Sequence, residues 1–516
     1  MTPEPLIRTE QRGRVLLAVF DMPGRTMNVF SDALMDALEA LIDHVEADSG
    51  IDALVLTSGK SAFIAGADLE MVRGYAAMGR TASRAELHAT CGRLGRLFVR
   101  LEALTKPTVA ALNGLALGGG LEVAMACRLR VAADNRGVQL GLPEVKLGLL
   151  PGAGGTQRLP RLIGIEKGLE LLLSGKSIGA AEAHALGLVD AVVPAADLLD
   201  CSLTIAAEAA DGALLAKFPD RLDPGPFDLA SPGIVRVITR HFGHQDAVTA
   251  VYPAYDAIVR CVVEGAGLPL ASGSSVEMDR FVDLMQDEVA GNMVSTLFLW
   301  RQKADKQLAG VAPASRFAVT GDNTTAQALK AALVAAKGTL VGPGEVSDCD
   351  VRIQTGLVPV GAVDLVLLSG TDDKPGDATG IYLARSRDFG TALEIITNDS
   401  DSPGARKALA LARQLRATPF IHSGNSSLLA RLAHVGAKAN EARMPPDAVL
   451  AALARAAQEA SQHGGAFDPQ MADVASVVGG VFPAYAGGPF TWMSAHGGDI
   501  DTLRAQLGER AAGLLG

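Results

Sequence analysis

Two glutamates, Glu122 and Glu144, each stand beside a glycine-rich stretch. Glu122 lies in NGLALGGGLEVAMAC (113–127), where three glycines lead into an apolar helical pattern. A helix N-terminus exposes free N–H groups and a positive dipole end, suited to developing negative charge. Glu144 lies in LGLPEVKLGLLPGAGGTQRLPRLIG (140–164), just before a second glycine-rich loop. A third segment, SGKSAFIAGADLEM (58–71), ends a strand in the small-residue turn Ala65-Gly66-Ala67-Asp68. Small side chains let a ligand reach the backbone, so the Ala67 amide can point at a substrate oxygen. Taken singly, each segment has a plain structural reading. Asp68 is a helix cap, Glu122 a first-turn acid, GGG a close packing of helix on strand, and Pro-Glu a helix start. Taken together they offer two backbone donors and two carboxylates. That equipment suits chemistry alpha and beta to a thioester carbonyl. Two N–H groups hold an enolate oxygen, one carboxylate handles water, and the other delivers or removes the alpha proton. Such pairs work when their surroundings push their pKa values apart.

The elements that must position these residues alternate between strand and helix. RVLLAVF (14–20) and DALVLTS (52–58) read as strands. Ser31 can cap a helix whose apolar positions are Leu34, Met35, Leu38, Leu41, Ile42 and Val45. TVAALNG (108–114) reads as strand and turn, GLEVAMAC (120–127) as helix and RLRVAAD (128–134) as strand. The spacing predicts an α/β domain over 1–194 and mostly helical connecting segments over 195–311. Loops are expected at 218–233 and 264–275. Leu284, Val289, Met293, Leu297 and Leu299 suggest one helix ending near Arg301, Lys303 and Lys306. GVAPAS (310–315) is a linker pattern. VDLVLLSG (363–370) reads as a strand, 404–415 and 448–462 as helices, and VFPAYAGGPFTWMSAHGG as a Gly/Pro-rich loop region.

The bulk composition narrows the partners. The chain has 516 residues, 48% hydrophobic and 4% aromatic, so its cores rest on Ala, Leu and Val. A net charge of −11 with no basic run argues against nucleic acid or an anionic membrane surface. The five cysteines are scattered without CxxC, which reads as reduced cytoplasmic thiols and no thiolate metal site. His241 and His244 form the one close histidine pair and read as a solvated surface, so no metal is expected. The N-terminus lacks an apolar signal core. Thr108 to Cys127 holds Asn113 and Glu122, poor choices for a bilayer, so no membrane insertion is expected.

The wording DMPGRTMN, SGKSAFIAGADL, ALGGGLE, LPEVKLGLLPGAGGTQRL and SGKSIGAAEAHALGLVDAVVP resembles the crotonase (enoyl-CoA hydratase) superfamily over about residues 12–195. It is close to the hydratase half of the multifunctional fatty-acid oxidation alpha chains. The resemblance implies a spiral of ββα units and a coenzyme A thioester substrate. It places the oxyanion hole on the amides of Ala67 and Gly119 and the two hydratase glutamates on Glu122 and Glu144. Glu144 is then the main proton donor and acceptor, and Glu122 holds and helps activate water. Ala65, Gly66 and Asp68 would meet coenzyme A. Keeping both glutamates argues for hydration of a trans-2-enoyl-CoA, with isomerase activity a frequent companion. Homo-oligomers and a thiolase partner are further expectations of the resemblance.

The second half resembles the 3-hydroxyacyl-CoA dehydrogenase region of the same chains, with departures. RFAVTGDNTTAQALKAAL (316–333) has the outline of a dinucleotide turn. Gly321 keeps the bend, Asn323 replaces the glycine that lets the pyrophosphate approach, and Ala326 takes the third place. Asn323 adds bulk and Asp322 a like charge, costing on the order of 1–3 kcal/mol. Glu345 could mimic the ribose-binding acid. Glu394 fits the family's catalytic Glu, but counting back to its partner His reaches Tyr382, and the family's Asn falls on Ala430. The expectation is a degenerate Rossmann-like domain over 312–415 and a helical C-terminal domain over 416–516. Neither NAD nor any other cofactor is then expected. The alternatives are a bifunctional hydratase/dehydrogenase, or a hydratase whose second half is a docking module.

Overall fold

The computed structural model describes residues 4–212, 231–242, 251–265, 267–342, 349–355, 363–369, 373–386, 389–463 and 466–496. Glu345, His244, the side chain of His241 and most of the loop expected at 218–233 lie outside that set. The chain divides into two compact units, Met1–Gly291 and Asn292–Gly516.

The strands of the first unit are β1 (Ile7–Arg12), β2 (Val15–Phe20), β3 (Ala53–Ser58), β4 (Thr108–Leu112), β5 (Ala116–Leu117), β6 (Leu129–Asp134), β7 (Gln139–Gly141), β8 (Ser177–Gly179) and β9 (Ala191–Pro194). Six form one sheet in the order β1-β2-β3-β4-β6-β9. Only the β1–β2 hairpin in it is antiparallel. β4 is buried along its whole length and β3 up to its last residue, as befits parallel strands covered on both faces. A small second sheet, β5-β7-β8, carries the chain from one glycine-rich stretch to the next. The helix Asp32–Ala47 forms where expected. The Ser31 side chain caps it, and the six named apolar residues face the core. With aromatics scarce, Phe20, Phe30, Phe63 and Phe98 join edge to face, with ring centroids 5.4–6.5 Å apart.

The helices Pro253–Gly265 and Leu270–Gln286 pack on this unit. The loop expected at 264–275 is therefore shorter. The Gly/Ser-rich run from Leu270 is helical because the same helix buries Glu277, Met278, Phe281 and Val282. Gly265 and Gly273 supply no side chain where Gln157 enters, and a Cβ on either would fall on its amide.

The second unit has strands β10 (Arg316–Thr320), β11 (Thr339–Leu340), β12 (Val351–Thr355), β13 (Leu365–Leu367), β14 (Gly380–Ser386), β15 (Gly390–Ile396) and β16 (Thr418–His422). They form one sheet, β11-β10-β12-β13-β14-β15-β16, parallel except for β14–β15. The order reverses on either side of β10, as in doubly wound folds. Phe317, Leu329, Ile353, Leu393 and Leu411 are among its core residues. The helices Leu428–Glu441, Pro446–His463 and Pro469–Val478 form the helical C-terminal portion. The helix expected from Leu284 to the basic cluster is instead broken at Asp287, and Ser295–Trp300 is a π-helical turn. The terminal Gly/Pro-rich stretch is also more regular than a loop. Pro489–Ala495 is a helix, and buried Asp473 accepts from Phe490 N at 2.8 Å and Thr491 N at 3.0 Å. That remote carboxyl satisfies the orphan amides of a short helix, and burial pushes it up to about 7. Among the described residues no helix is long and apolar enough to cross a membrane, and none of the five cysteines forms a disulfide.

Buried Glu394 on β15 does similar work. It accepts from Ser427 Oγ at 2.5 Å, Leu428 N at 2.7 Å and Leu429 N at 3.1 Å, and so caps the helix Leu428–Glu441. It also meets His422 Nε2 at 2.7 Å, while His422 Nδ1 faces the Ser423 carbonyl at 2.9 Å. Two acceptors require two ring protons, so this geometry suits the imidazolium. Burial opposes that charge, but the hydrogen bond to Glu394 and its negative field prevail and raise the His422 pKa above 6.5. A raised folded-state pKa means the stabilisation is full below pH 6.5 and fades as pH rises through the folded value. His422→Gln should flatten that dependence. Glu394→Ala should cost roughly 3–5 kcal/mol, the usual effect of orphaning a buried charge. Thermal denaturation from pH 5 to 9 checks both; a wild-type slope in His422→Gln would disprove the charged pair.

Candidate active site

The three sequence segments meet in the first unit. Asn28, fully buried, anchors one of them. Its Nδ2 donates to Phe20 O, Ser58 Oγ and Phe63 O, and its own carbonyl accepts from Ala65 N at 2.9 Å. The strand-like stretch that follows lies against β5: Phe63 N reaches Leu115 O at 2.9 Å and Leu117 N reaches Ile64 O at 3.1 Å. Gly120 is required here, because a Cβ would fall on the Ile64 carbonyl. Gly66 and Gly118 both have positive φ, +102° and +50°, and face each other across the contact. In this arrangement Asp68 N is used by Phe30 O at 2.8 Å and Gly118 N by Gly141 O at 3.0 Å. The amides of Ala67 and Gly119 make no such turn or cap bond among the described residues. Asp68 caps the helix Leu69–Gly79 through Glu70 N at 3.0 Å and pairs with Arg25 at 3.0 Å.

Glu122 projects from the first turn of the helix Gly119–Ala126 and is 3% exposed. Its Oε1 accepts from Ala153 N and Gly155 N, both at 2.8 Å. Burial raises its pKa to about 6, with those two amides and the Arg158 charge pulling the other way. Glu144 begins a short 3-10 turn after Pro143, which β7 carries to β5 and so to Gly118. A Cβ on Gly118 would fall on Glu144 Oε1. Glu144 Oε2 is buried with no hydrogen-bond partner in the protein. Burial and then the Glu122 charge push the Glu144 pKa well above the usual carboxyl range. Two carboxyls thus share one pocket with opposite preferences. Glu122 is held toward its charged form by amides, and Glu144 is kept neutral. Among the described residues no group of His, Cys, Asp and Glu could hold a metal.

Two residues escape sequence reasoning. Glu277, from the helix Leu270–Gln286, is 1% exposed and accepts from Gly154 N at 2.5 Å, Thr156 N at 2.9 Å and Thr156 Oγ at 2.5 Å. It sits in a Gly/Ser-rich stretch more than a hundred residues from the loop it holds, so no local motif marks it. A cavity of about 630 Å³ lies beside the same loop, lined by Gly152, Ala153, Gly154, Val99, Met278 and Glu277. His422, in the second unit, meets Glu394 from β16, whereas Tyr382 sits opposite Glu394 in the β14–β15 register. Counting along one strand could not find a partner on the next.

At the dinucleotide-like turn, Gly321 has φ +111° and a Cβ there would fall on Thr355 Oγ1. Asn323 caps the helix Thr324–Ala335, its Oδ1 accepting from Ala326 N at 2.8 Å. Lys330 donates to Gly321 O at 2.9 Å and approaches Asp322 at 3.5 Å. Ala430 lies buried in the first turn of the helix Leu428–Glu441.

Residues 12–218 match the family model described as enoyl-CoA hydratase/isomerase. Among curated proteins, the chain is similar to the fatty acid oxidation complex subunit alpha of Shewanella amazonensis, 38% identical over 291 residues. The match covers 55% of this chain and 39% of that protein. The subunit of the same name from Idiomarina loihiensis is 39% identical over 283 residues, covering 52% and 37%. The chain thus spans well under half the length of these relatives. Among solved structures, an enoyl-CoA hydratase from Bacillus anthracis aligns at 27% identity over 58% of this chain and 96% of that one, with a TM-score of 0.36.

Gly118→Ala tests how tightly the pocket is built. The added methyl meets left-handed strain of about 1–3 kcal/mol and also displaces the Glu144 carboxyl. A melting temperature lowered accordingly and a rotated Glu144 in the variant's crystal structure are expected. An unmoved carboxyl with unchanged melting would show that the contact does not constrain it.

Proposed function

We propose that the first unit is an enoyl-CoA hydratase adding water to a trans-2-enoyl-CoA to give the 3-hydroxyacyl-CoA. The observation that carries this reading is the unequal pair: Glu122 charge-stabilised by two amides, Glu144 neutral with a buried oxygen lacking any partner. In the hydration direction Glu122 takes a proton from water as the oxygen bonds to C3. Glu144 gives its proton to C2, and the thioester oxygen carries the enolate charge in between. The amides of Ala67 and Gly119, which make no turn or cap bond among the described residues, are proposed to receive that oxygen, a role worth several kcal/mol in comparable oxyanion holes. Ala65, Gly66 and Asp68 are proposed to border coenzyme A. A substrate whose double bond must move between C2 and C3 would use the same proton exchange, which supports isomerase activity as a companion.

The rate profile follows from the two environments. Hydration needs Glu122 ionised, so kcat rises through an acid limb near pH 6, and it needs Glu144 protonated, so kcat falls once pH exceeds the raised Glu144 pKa. Glu122→Gln removes the acid limb. Glu144→Gln lowers kcat about 10²–10⁴-fold while acyl-CoA binding persists. A pH series of hydratase assays measures all three, and wild-type turnover in Glu144→Gln would end this reading.

For the second unit we propose no hydride transfer. Three observations support this. The Asn323 side chain occupies the helix N-terminus where a pyrophosphate would sit. The Thr355 hydroxyl closes on Gly321. Both His422 nitrogens are already engaged, so neither is free to take a substrate proton. The relatives' name describes a subunit of a complex, which supports a docking role for residues 312–516, with a thiolase as the proposed partner. Self-association and a cytoplasmic location complete the proposal. Incubating the full chain with 3-hydroxyacyl-CoA and NAD should yield no NADH, and calorimetry should detect no NAD binding. NADH formation would restore the bifunctional alternative.

A further inference from the structure

The loop that opens the helix Gly155–Ile163 is loaded from two sides. Ala153 N and Gly155 N donate to Glu122; Gly154 N and Thr156 N donate to Glu277. Four consecutive amides therefore alternate between two buried carboxyls. The four lie on the turn and first helical residues at 153–156, where N–H groups have no intrahelical acceptor, so both carboxyls hold one helix N-terminus. Gly154 makes the path possible with φ +101°, and Arg158 ties the intervening Ala153 carbonyl at 2.9 Å. A second chain of bonds anchors Glu277's partner. Gln157 Nε2 donates to Thr156 Oγ at 3.1 Å and to Cys261 O at 2.8 Å, and Thr156 Oγ in turn donates to Glu277. Loop and both flanking helices are thus joined without a surface contact.

Glu277 is an expensive residue for mere packing. It is a buried carboxyl whose ionisable neighbours are Glu122, Glu144 and Cys261, while the Arg158 charge acts on Glu122. A neutral apolar side chain would fill the space at lower cost, but it could not accept from Gly154 and Thr156. What the carboxyl supplies is direction: it holds the loop so that the remaining two amides converge on one oxygen of Glu122.

We propose that Glu277 is a positioning residue for the hydratase pair, orienting the 153–156 loop so that Glu122 is held in its water-activating geometry. This rests on the hydratase reading above. It adds to that reading a residue outside the 12–218 crotonase match, so the helix Leu270–Gln286 belongs to the working hydratase.

The test uses the full chain with a short trans-2-enoyl-CoA. Glu277→Gln places an amide N–H where an acceptor is needed. It should lower kcat about tenfold with KM changed less than twofold, and move the acid limb of the kcat profile to higher pH, because Glu122 loses the amides that favour its charged form. Thr156→Val, which keeps Glu277 but deletes the hydroxyl bond, should lower kcat in the same sense, and Thr156→Ser should recover most of that loss. This second pair decides the matter if Glu277→Gln does not fold. A wild-type kcat and acid limb in Glu277→Gln, or equal rates in Thr156→Val and Thr156→Ser, would overturn the proposal even if melting falls. Glu144→Gln runs in parallel. If it keeps wild-type turnover the hydratase reading has failed; if it is inactive while the Glu277 and Thr156 variants match wild type, only the positioning role has failed.

Discussion

The first unit depends on how backbone amides are shared among buried carboxyls. A buried carboxylate is costly unless donors surround it. Glu122 has two amides, Glu277 has two amides and a hydroxyl, and Glu144 has no partner for its buried oxygen. Burial raises all three toward their protonated forms, and the donors decide how each carboxyl is held. That sharing also explains the glycines. The loop must turn at Gly154 and approach Glu122 closely at Gly155, where a Cβ would sit 2.9 Å from Oε1.

The same constraint runs back through the fold to the opening strands. Asn28 fixes the Phe63–Ala67 stretch, that stretch fixes β5, and β5 with β7 delivers Glu144 beside Gly118. Each link is a backbone or buried amide bond between segments far apart in the chain. Such bonds are worth most where water is excluded, and leaving one unmade costs more than making it gains. A pocket assembled this way tolerates little change of backbone position, which suits chemistry that must place water and a proton on opposite partners of one double bond.

Much of this was legible in the sequence because the relevant signals are local. Ser31 and the six apolar residues after it announce a helix. The small-residue turn at 65–68 and the glycines at 118–120 announce close backbone approach. What stayed hidden is non-local. Glu277 looks like one acid in a Gly/Ser-rich run, and only the packing of that run as a helix turns it inward. The expected loops at 264–275 and near the C-terminus failed for one reason: glycine, serine and proline were read as breakers, where burial of one face and a remote carboxyl cap made short helices stable. His422 was missed because a search along β14 cannot see across to β16.

The second unit applies the same capping to a different end. Glu394 and Asp473, remote in sequence, and the local N-cap Asn323 each satisfy the first turn of a helix, at Leu428, Pro489 and Thr324 respectively. A helix N-terminus whose amides are already engaged by a protein side chain is less able to hold a phosphate, since both draw on the same donors and the same dipole end. A residue such as Asn323 therefore trades ligand binding for helix stability within one hydrogen bond. His422 and Glu394 make a comparable exchange. A histidine poised for proton transfer needs one nitrogen open to its substrate, and His422 has committed both to the protein. On the reading proposed for this unit, polar groups of the kind that could serve a cofactor instead hold sheet and helix together, an arrangement that needs only shape or contact to be kept.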